Sequence, residues 1–285
     1  FLFLLGRTSR KGANMNIIYN SGSDFIKDNY QIISNNQLET IFFVENAKKI
    51  KSIDKNNYMI KIYNNFSYLL AIHCQNYPLV LFGDLKLVDE LILVLNKNNY
   101  RFDKILTSKN LGEIFLQSYE KINGGFHYIN LSMDIMRCDT INNFDTKGVK
   151  WAKVLDVEEI TKIMVAFYKE TANNEVSYQE TLKRVKENIS DFVIIKNEKR
   201  IVSIAKKTRE TDCLCSISAV YTIEKERKKG FSKKIVSFLT NYIVTNHKIA
   251  YLFVDKNNPI SNHLYQSIGY VYDKPQFEFI YQSYQ

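Results

Sequence analysis

A strand ending in Val220-Tyr221-Thr222 runs into a basic turn, Arg227-Lys228-Lys229-Gly230-Phe231-Ser232, and that turn opens a helix. No other feature constrains the chain as much. A helix start leaves backbone N–H groups without intrahelical partners, at the positive end of the helix dipole. A glycine there lets a bulky anion approach the backbone. The turn is therefore suited to a pyrophosphate-sized group. A second strand (250–255) and a second helix (261–268) follow, so strands and helices alternate as in a mixed α/β sheet protein.

Further along come Asn258-Pro259-Ile260-Ser261-Asn262, Leu264-Tyr265 and Ile268-Gly269-Tyr270. Arg227-x-x-Gly230-x-Ser232 resembles the R/Q-x-x-G-x-G/A signature of the GNAT superfamily of acyl-CoA N-acyltransferases. Val220-Tyr221-Thr222 sits where that family has the strand feeding the signature. The NPISN…LYQSIGY stretch is similar to a subgroup whose pattern runs YTD-x-x-NP-x-SN-x-x-Y-x-x-IGY. One such block alone is a weak signal; three in the right order and spacing are a strong one. The resemblance covers about the last third of the chain, loosely back to Lys150 and faintly into the N-terminal half. It implies an α/β (α+β) GNAT fold, with a central mixed, mostly antiparallel sheet flanked by helices. A second α/β domain precedes it, GNAT-like but degenerate and without the pyrophosphate turn. Acetyl-CoA is the implied co-substrate, with no metal.

The resemblance also assigns residues. Lys228, Lys229, Gly230, Phe231 and Ser232 cradle the pyrophosphate, and Arg227 either contacts phosphate or braces the turn. Ser232 stands where many members have glycine or alanine; its hydroxyl is free to cap the helix or touch phosphate. At the strand end Ala219, Val220 and Tyr221 the family splays two strands and offers backbone groups to the pantetheine amides and the thioester carbonyl, and Thr222 is counted with Val220 and Tyr221 as cofactor-binding. The backbone N–H near Val220 is then the donor for the developing oxyanion. Tyr265 falls near the CoA sulfur. A phenol with a reference pKa of ~10 can protonate a departing thiolate of ~8.5; equally, Tyr265 shares a helical face with Leu264 and Ile268 and fits as a core aromatic. Asn258 contacts pantetheine or caps the next helix, and Ser261 binds the CoA arm or is itself the N-cap. The strand from 213 to 222 holds no carboxylate to act as a base. Glu170, with Phe167 three residues before it, matches a subgroup F-x-x-E pattern and faces either the acceptor or solvent. Acceptor-binding residues are expected over 169–180 and on the facing surface of the N-terminal domain.

Periodicity places helices over 24–34, 38–50, 85–95, 111–121, 157–170, 178–189, 230–245 and 261–268. Strands are expected over 58–63, 67–74, 79–82, 126–136, 149–155, 192–196, 200–207, 213–222 and 250–255, with two more near 270 and 277–281. The polar segment 142–148 is the expected boundary between a domain of residues 15–146 and one of 149–285. Gly83-Asp84 reads as a strand-to-helix loop with an aspartate cap rather than an acidic site. Residues 1–14, FLFLLGRTSRKGAN, are expected to be a non-native leader of vector-derived or upstream-translated origin.

The chain has 285 residues, 45% apolar and 24% charged, a composition of globular proteins. Its net charge of +9 comes mostly from scattered lysines. No long basic run or arginine stripe appears, which speaks against a nucleic-acid partner. Lys225, Arg227, Lys228, Lys229, Lys233 and Lys234 are the local exception. Cysteines 74, 138, 213 and 215 form no C-x-x-C, and the histidines supply no metal-ligand spacing. Reduced thiols and the lack of a ~20-residue apolar stretch suggest a cytoplasmic protein with no membrane partner, as monomer or homodimer.

Three activities fit these residues. The first is an N-acetyltransferase passing an acetyl group from acetyl-CoA to a primary amine, on a small molecule or peptide, by direct attack in a ternary complex. The second is a glycine N-acyltransferase-like enzyme with a longer acyl donor. The third is a catalytically idle acyl-CoA-binding sensor or assembly module.

Overall fold

The computed structural model describes residues 14–172 and 176–284. The expected leader, apart from Asn14, lies outside them, as do residues 173–175 of the expected acceptor segment. The chain divides into two compact units. One holds the described residues up to Ser132 and from Pro275 onward; the other is Met133–Lys274.

The first unit contains β1 (Met15–Ile18), α1 (Gly22–Asp28), α2 (Tyr30–Asn35), α3 (Gln37–Lys49), β2 (Tyr58–Tyr63), β3 (Tyr68–His73), β4 (Leu79–Gly83), α4 (Val88–Lys97), β5 (Lys104–Thr107) and α5 (Lys109–Asn123). Strands β1 to β4 pair antiparallel in sequence order, and β4 pairs with β5 in parallel. The helix expected over 24–34 is two helices. Asn29, almost fully buried, donates its side-chain amide to the Phe25 carbonyl (2.8 Å) and to the Tyr19 hydroxyl (3.2 Å), which ends the first helix. Leu91 and Leu95 of α4, Phe115 of α5 and Ile60 of β2 share one fully buried core.

The long strand β6 (Phe126–Cys138) carries the chain into the second unit. There follow β7 (Val149–Trp151), α6 (Val157–Ala172), α7 (Tyr178–Glu187), β8 (Phe192–Asn197), β9 (Arg200–Thr208), β10 (Leu214–Thr222), α8 (Phe231–Thr245), β11 (Ile249–Asp255), α9 (Pro259–Ile268) and β12 (Val271–Gln282). Strands β7 to β10 pair antiparallel, β10 pairs with β11 in parallel, and β11 pairs antiparallel with residues 133–138 of β6. The two strands expected near 270 and 277–281 are the single strand β12, whose end from Pro275 belongs to the first unit and pairs there, over residues 277–280, with β5. Alternation along β8 sends Val193 and Ile195 to one face of the sheet and Phe192 and Ile194 to the other. Both sets are buried, the first with α8 and α9, the second with α6 and α7. Apolar residues on both faces require helices on both.

The polar segment 142–148 lies inside the second unit instead of between the units. It is pinned to α8. Asn142 and Asn241 exchange two hydrogen bonds of 2.9 and 2.8 Å, Lys234 pairs with Asp145 at 2.6 Å, and Lys233 sits 3.8 Å over the Phe144 ring. The units part at Ser132/Met133, within β6.

Candidate functional site

Strand β10 leaves the ladder where the sequence singles out Val220. Its register on β9 shifts between Ser218 and Tyr221, and Ala219 takes a left-handed φ of 50°. That is a β-bulge, which frees the backbone of the bulged residues from pairing. On the other side, the parallel register with β11 covers only Leu214 to Ser216, although β10 runs on to Thr222 and β11 to Asp255. A cleft of about 460 Å³ opens there. Val220, Tyr221 and Thr222 form one wall, the basic turn another, and Asn258, Ser261, Leu264 and Tyr265 of the α9 region a third.

The turn is a helix start that opens on free space. Lys228 (φ 63°) and Gly230 (φ 81°) both lie in the left-handed region, and Gly230 is the N-cap of α8. A Cβ placed on Gly230 meets nothing within 4 Å, so the space in front of it is open. No side chain caps α8. Lys234 is the first amide bonded back into the helix, to the Gly230 carbonyl at 3.1 Å. The Phe231, Ser232 and Lys233 amides before it are the unsatisfied ones of a helix start. The Ser232 hydroxyl is not a cap either. It lies 2.9 Å from Thr222 Oγ1, which lies 2.9 Å from Ser203 Oγ, so three hydroxyls tie the helix start to β10 and β9.

The charges around the turn are mostly spoken for. Lys229 pairs with Glu226 at 3.0 Å and Lys234 with Asp145. Among the described residues, Lys225 and Lys228 form no ion pair. Arg227 braces the turn: its Nε–H donates to the Thr222 carbonyl (3.0 Å), its Nη2 to Glu170 Oε2 (2.7 Å), and its guanidinium lies 5.4 Å from the Tyr221 ring centre.

Glu170, near the end of α6, does border the cleft. The same Oε2 also accepts from the Tyr221 hydroxyl at 2.8 Å. The Arg227 guanidinium holds the Glu170 carboxyl below the usual carboxylate range, with help from Tyr221. A carboxylate lowered in this way is a weaker proton acceptor than an ordinary one. Phe167 packs edge-on against Tyr221 at 6.0 Å.

Asn258 is the N-cap of α9, accepting from the Ser261 amide at 3.0 Å, with Pro259 in the first turn. Ser261 is therefore not the cap, and only its place in the cleft lining remains. Tyr265 stands where the core meets the cleft. It belongs to the core with Ile268 and packs edge-on against Tyr270 at 5.9 Å, yet it also lines the cleft. Its residue is 8% exposed, and burial pushes the phenol up to about 12. Among the described residues its hydroxyl has no hydrogen-bond partner. No group of three or more metal-ligating side chains occurs among the described residues.

Of the catalytic and cofactor-binding residues singled out in the sequence, all but Lys229 line this one cleft. Sequence reasoning misses the Tyr221–Glu170–Arg227 cluster and the Ser203–Thr222–Ser232 chain. Both join residues distant in sequence, and no local spacing signals either.

Residues 197–278 match the model of the FR47-like protein family, a stretch that contains every cleft residue discussed except Glu170. The architecture is similar to that of a GCN5-related N-acetyltransferase from Sphaerobacter thermophilus, at 10% identity over 95% of this chain and 97% of that one, with a TM-score of 0.65. It is similar to a GNAT-family acetyltransferase from Colwellia psychrerythraea, at 11% identity over 94% and 99%, TM-score 0.58. A tandem GNAT protein from the clavulanic acid biosynthesis pathway, solved without AcCoA, aligns at 7% identity over 95% and 98%, TM-score 0.54. Comparison with curated proteins finds no match. At such identities the likeness concerns the fold, and the chain has the GNAT fold, in a two-domain arrangement.

Proposed function

We propose that the protein is a cytoplasmic N-acetyltransferase, moving an acetyl group from acetyl-CoA to a primary amine on a small molecule or peptide. One observation carries this reading. An uncapped helix start, with open space before Gly230, shares a cleft with a buried phenol that has no partner among the described residues. The first feature suits a pyrophosphate and the second a leaving group that needs a proton.

On this reading the amides of residues 228–233 hold the pyrophosphate, and the unpaired end of β10 hydrogen-bonds the pantetheine arm. The Val220 N–H stabilises the oxyanion as the acceptor nitrogen adds to the thioester carbon. When the C–N bond has formed and the C–S bond breaks, Tyr265 gives its proton to the sulfur. The new ammonium loses its proton to water, which restores the phenol through solvent. No cysteine nucleophile takes part. Glu170 is given no role as base, because Arg227 and Tyr221 occupy it.

That same occupied carboxylate favours a second reading, an acyl-CoA-binding module without turnover. Calorimetry with CoA, followed by single-turnover reactions with labelled acetyl-CoA and an amine panel, separates the two. Binding with acetyl transfer supports the enzyme, binding without transfer to any amine supports the module, and no binding of CoA defeats both.

A further inference from the structure

The geometry points to Arg227 and Glu170 as a positioning pair that shapes the anion-binding turn without touching the anion. This rests on the cofactor reading above. A basic residue at the head of such a turn would ordinarily be taken as a phosphate ligand. Here Arg227 also lines the cleft, but its Nε–H and an Nη2 donor are turned to the Thr222 carbonyl and Glu170 Oε2, and one face of its guanidinium lies over Tyr221.

The contacts close a ring. Arg227 reaches back to Thr222, where β10 ends, and across to Glu170 on α6. Glu170 in turn accepts from Tyr221, the residue before Thr222. One carboxylate oxygen thus joins helix, strand end and turn. Just past this ring the chain takes two left-handed conformations, at Lys228 and Gly230. A lysine adopts that conformation only where its surroundings enforce it. The ring fixes the residue immediately before Lys228. Phosphate recognition then falls to the free amides of α8 and to Lys228.

The side chains of Arg227 and Glu170 are 38% and 47% exposed, so their ion pair adds little to the stability of the whole domain. Removing it disturbs the turn and spares the fold. The Ser203–Thr222–Ser232 hydroxyls hold the helix start separately.

The test is calorimetry with CoA on the full chain, comparing wild type, Glu170→Ala, Arg227→Ala and the double variant, with melting temperatures as the control for folding. A positioning pair predicts that each single variant weakens CoA binding by roughly tenfold and that the double variant is at most about threefold weaker than the worse single, because the partners act as one unit. Glu170→Gln, which keeps the accepting oxygen, should retain affinity within about threefold of wild type, a rescue that loss of general stability does not predict. The proposal is overturned if Arg227→Ala loses about tenfold or more while Glu170→Ala loses less than about twofold, the pattern of a direct phosphate ligand. It is overturned equally if the two losses multiply in the double variant. Those outcomes leave the cofactor reading intact. A wild type that binds no CoA removes the cofactor reading itself, and with it any turn for the pair to position.

Discussion

Each unit of this protein has a strand that enters a helix and then pairs in parallel with the strand beyond it, and the two junctions are built to opposite ends. In the first unit β4 meets the next helical turn at Gly83-Asp84. The Asp84 carboxylate accepts from the Lys86 amide at 2.9 Å and from Ser67 at 2.8 Å. A Cβ on Gly83 would lie 2.2 Å from the Tyr68 carbonyl oxygen, and the β3–β4 register runs unbroken to Gly83. In the second unit the junction after β10 has a bulge, no cap and open space at Gly230. Both glycines have positive φ, but one is needed because backbone crowds it and the other for its conformation alone. The strand order is shared; open space before an uncapped helix start occurs at the junction where the strand leaves its ladder and not at the one closed by a carboxylate.

The largest effect should come from making the second junction resemble the first. Gly230→Glu places a carboxylate at the uncapped start of α8. Like-charge juxtaposition costs several kcal/mol, so CoA affinity should fall by at least ~100-fold in calorimetry. The left-handed φ of 81° adds strain of roughly 1–2 kcal/mol to the fold for any L side chain. Gly230→Ala carries the same strain without the charge, and its Cβ meets nothing within 4 Å; it should keep CoA affinity within about threefold. If the alanine variant loses as much as the glutamate variant, the turn's shape matters and its electrostatics do not. Unchanged affinity in a folded Gly230→Glu protein would remove this turn from the site.

Tyr265→Phe should act on rate and leave binding alone. It deletes a hydroxyl that has no partner among the described residues and keeps the ring packed on Tyr270. Once an acceptor is found, the expected result is a fall in kcat of at least about tenfold with KM for acetyl-CoA little changed, since general acids commonly contribute ~10²–10⁴-fold. With the phenol pushed up to about 12, it stays protonated through neutral and mildly alkaline pH. Loss of its proton therefore adds no falling limb to the pH–rate profile below that region. A kcat loss under tenfold would make Tyr265 a core residue and nothing more.

What the sequence revealed follows from which interactions are local. The helix start at Gly230, the Asn258 cap and the strand over 192–196 each lie within a few residues, and each is found where its pattern puts it. The four-residue strands β1 and β5 are too short to show a period, and no expectation covered them. Asn29 splits a helix through a contact with Tyr19, which helical spacing does not report. The bulge at Ala219 carries no glycine to announce it, and only the family resemblance points to an irregular strand end there. Segment 142–148 looks like a linker because it is polar, but Asn142 and Asp145 spend that polarity on Asn241 and Lys234 of α8. Glu170 and Arg227 stand 57 positions apart, and only the packing of α6 beside β10 brings them to 2.7 Å.

The smallest effect should come from the reverse experiment, opening the first junction. Asp84→Ala removes the carboxylate that occupies that helix start, along with its hydrogen bonds from Lys86 and Ser67. Losing a cap of this kind costs ~0.5–2 kcal/mol, visible as a lower melting temperature. The Lys86 amide and Ser67 hold the Asp84 carboxyl below its usual range. A carboxylate with a lowered folded-state pKa stabilises above its unfolded value of ~3.9 and loses that contribution as pH falls through the folded value. The gap between wild type and Asp84→Ala should therefore be full at neutral pH and narrow in strong acid. The cofactor stoichiometry should stay at one CoA per chain, because removing a charge does not recreate the rest of the second junction. Strand β4 would still run in register to Gly83, against the Tyr68 carbonyl, leaving no unpaired strand end for a pantetheine arm. A second equivalent of CoA in Asp84→Ala would show that a single carboxylate, and not the path of the strand, separates the two junctions.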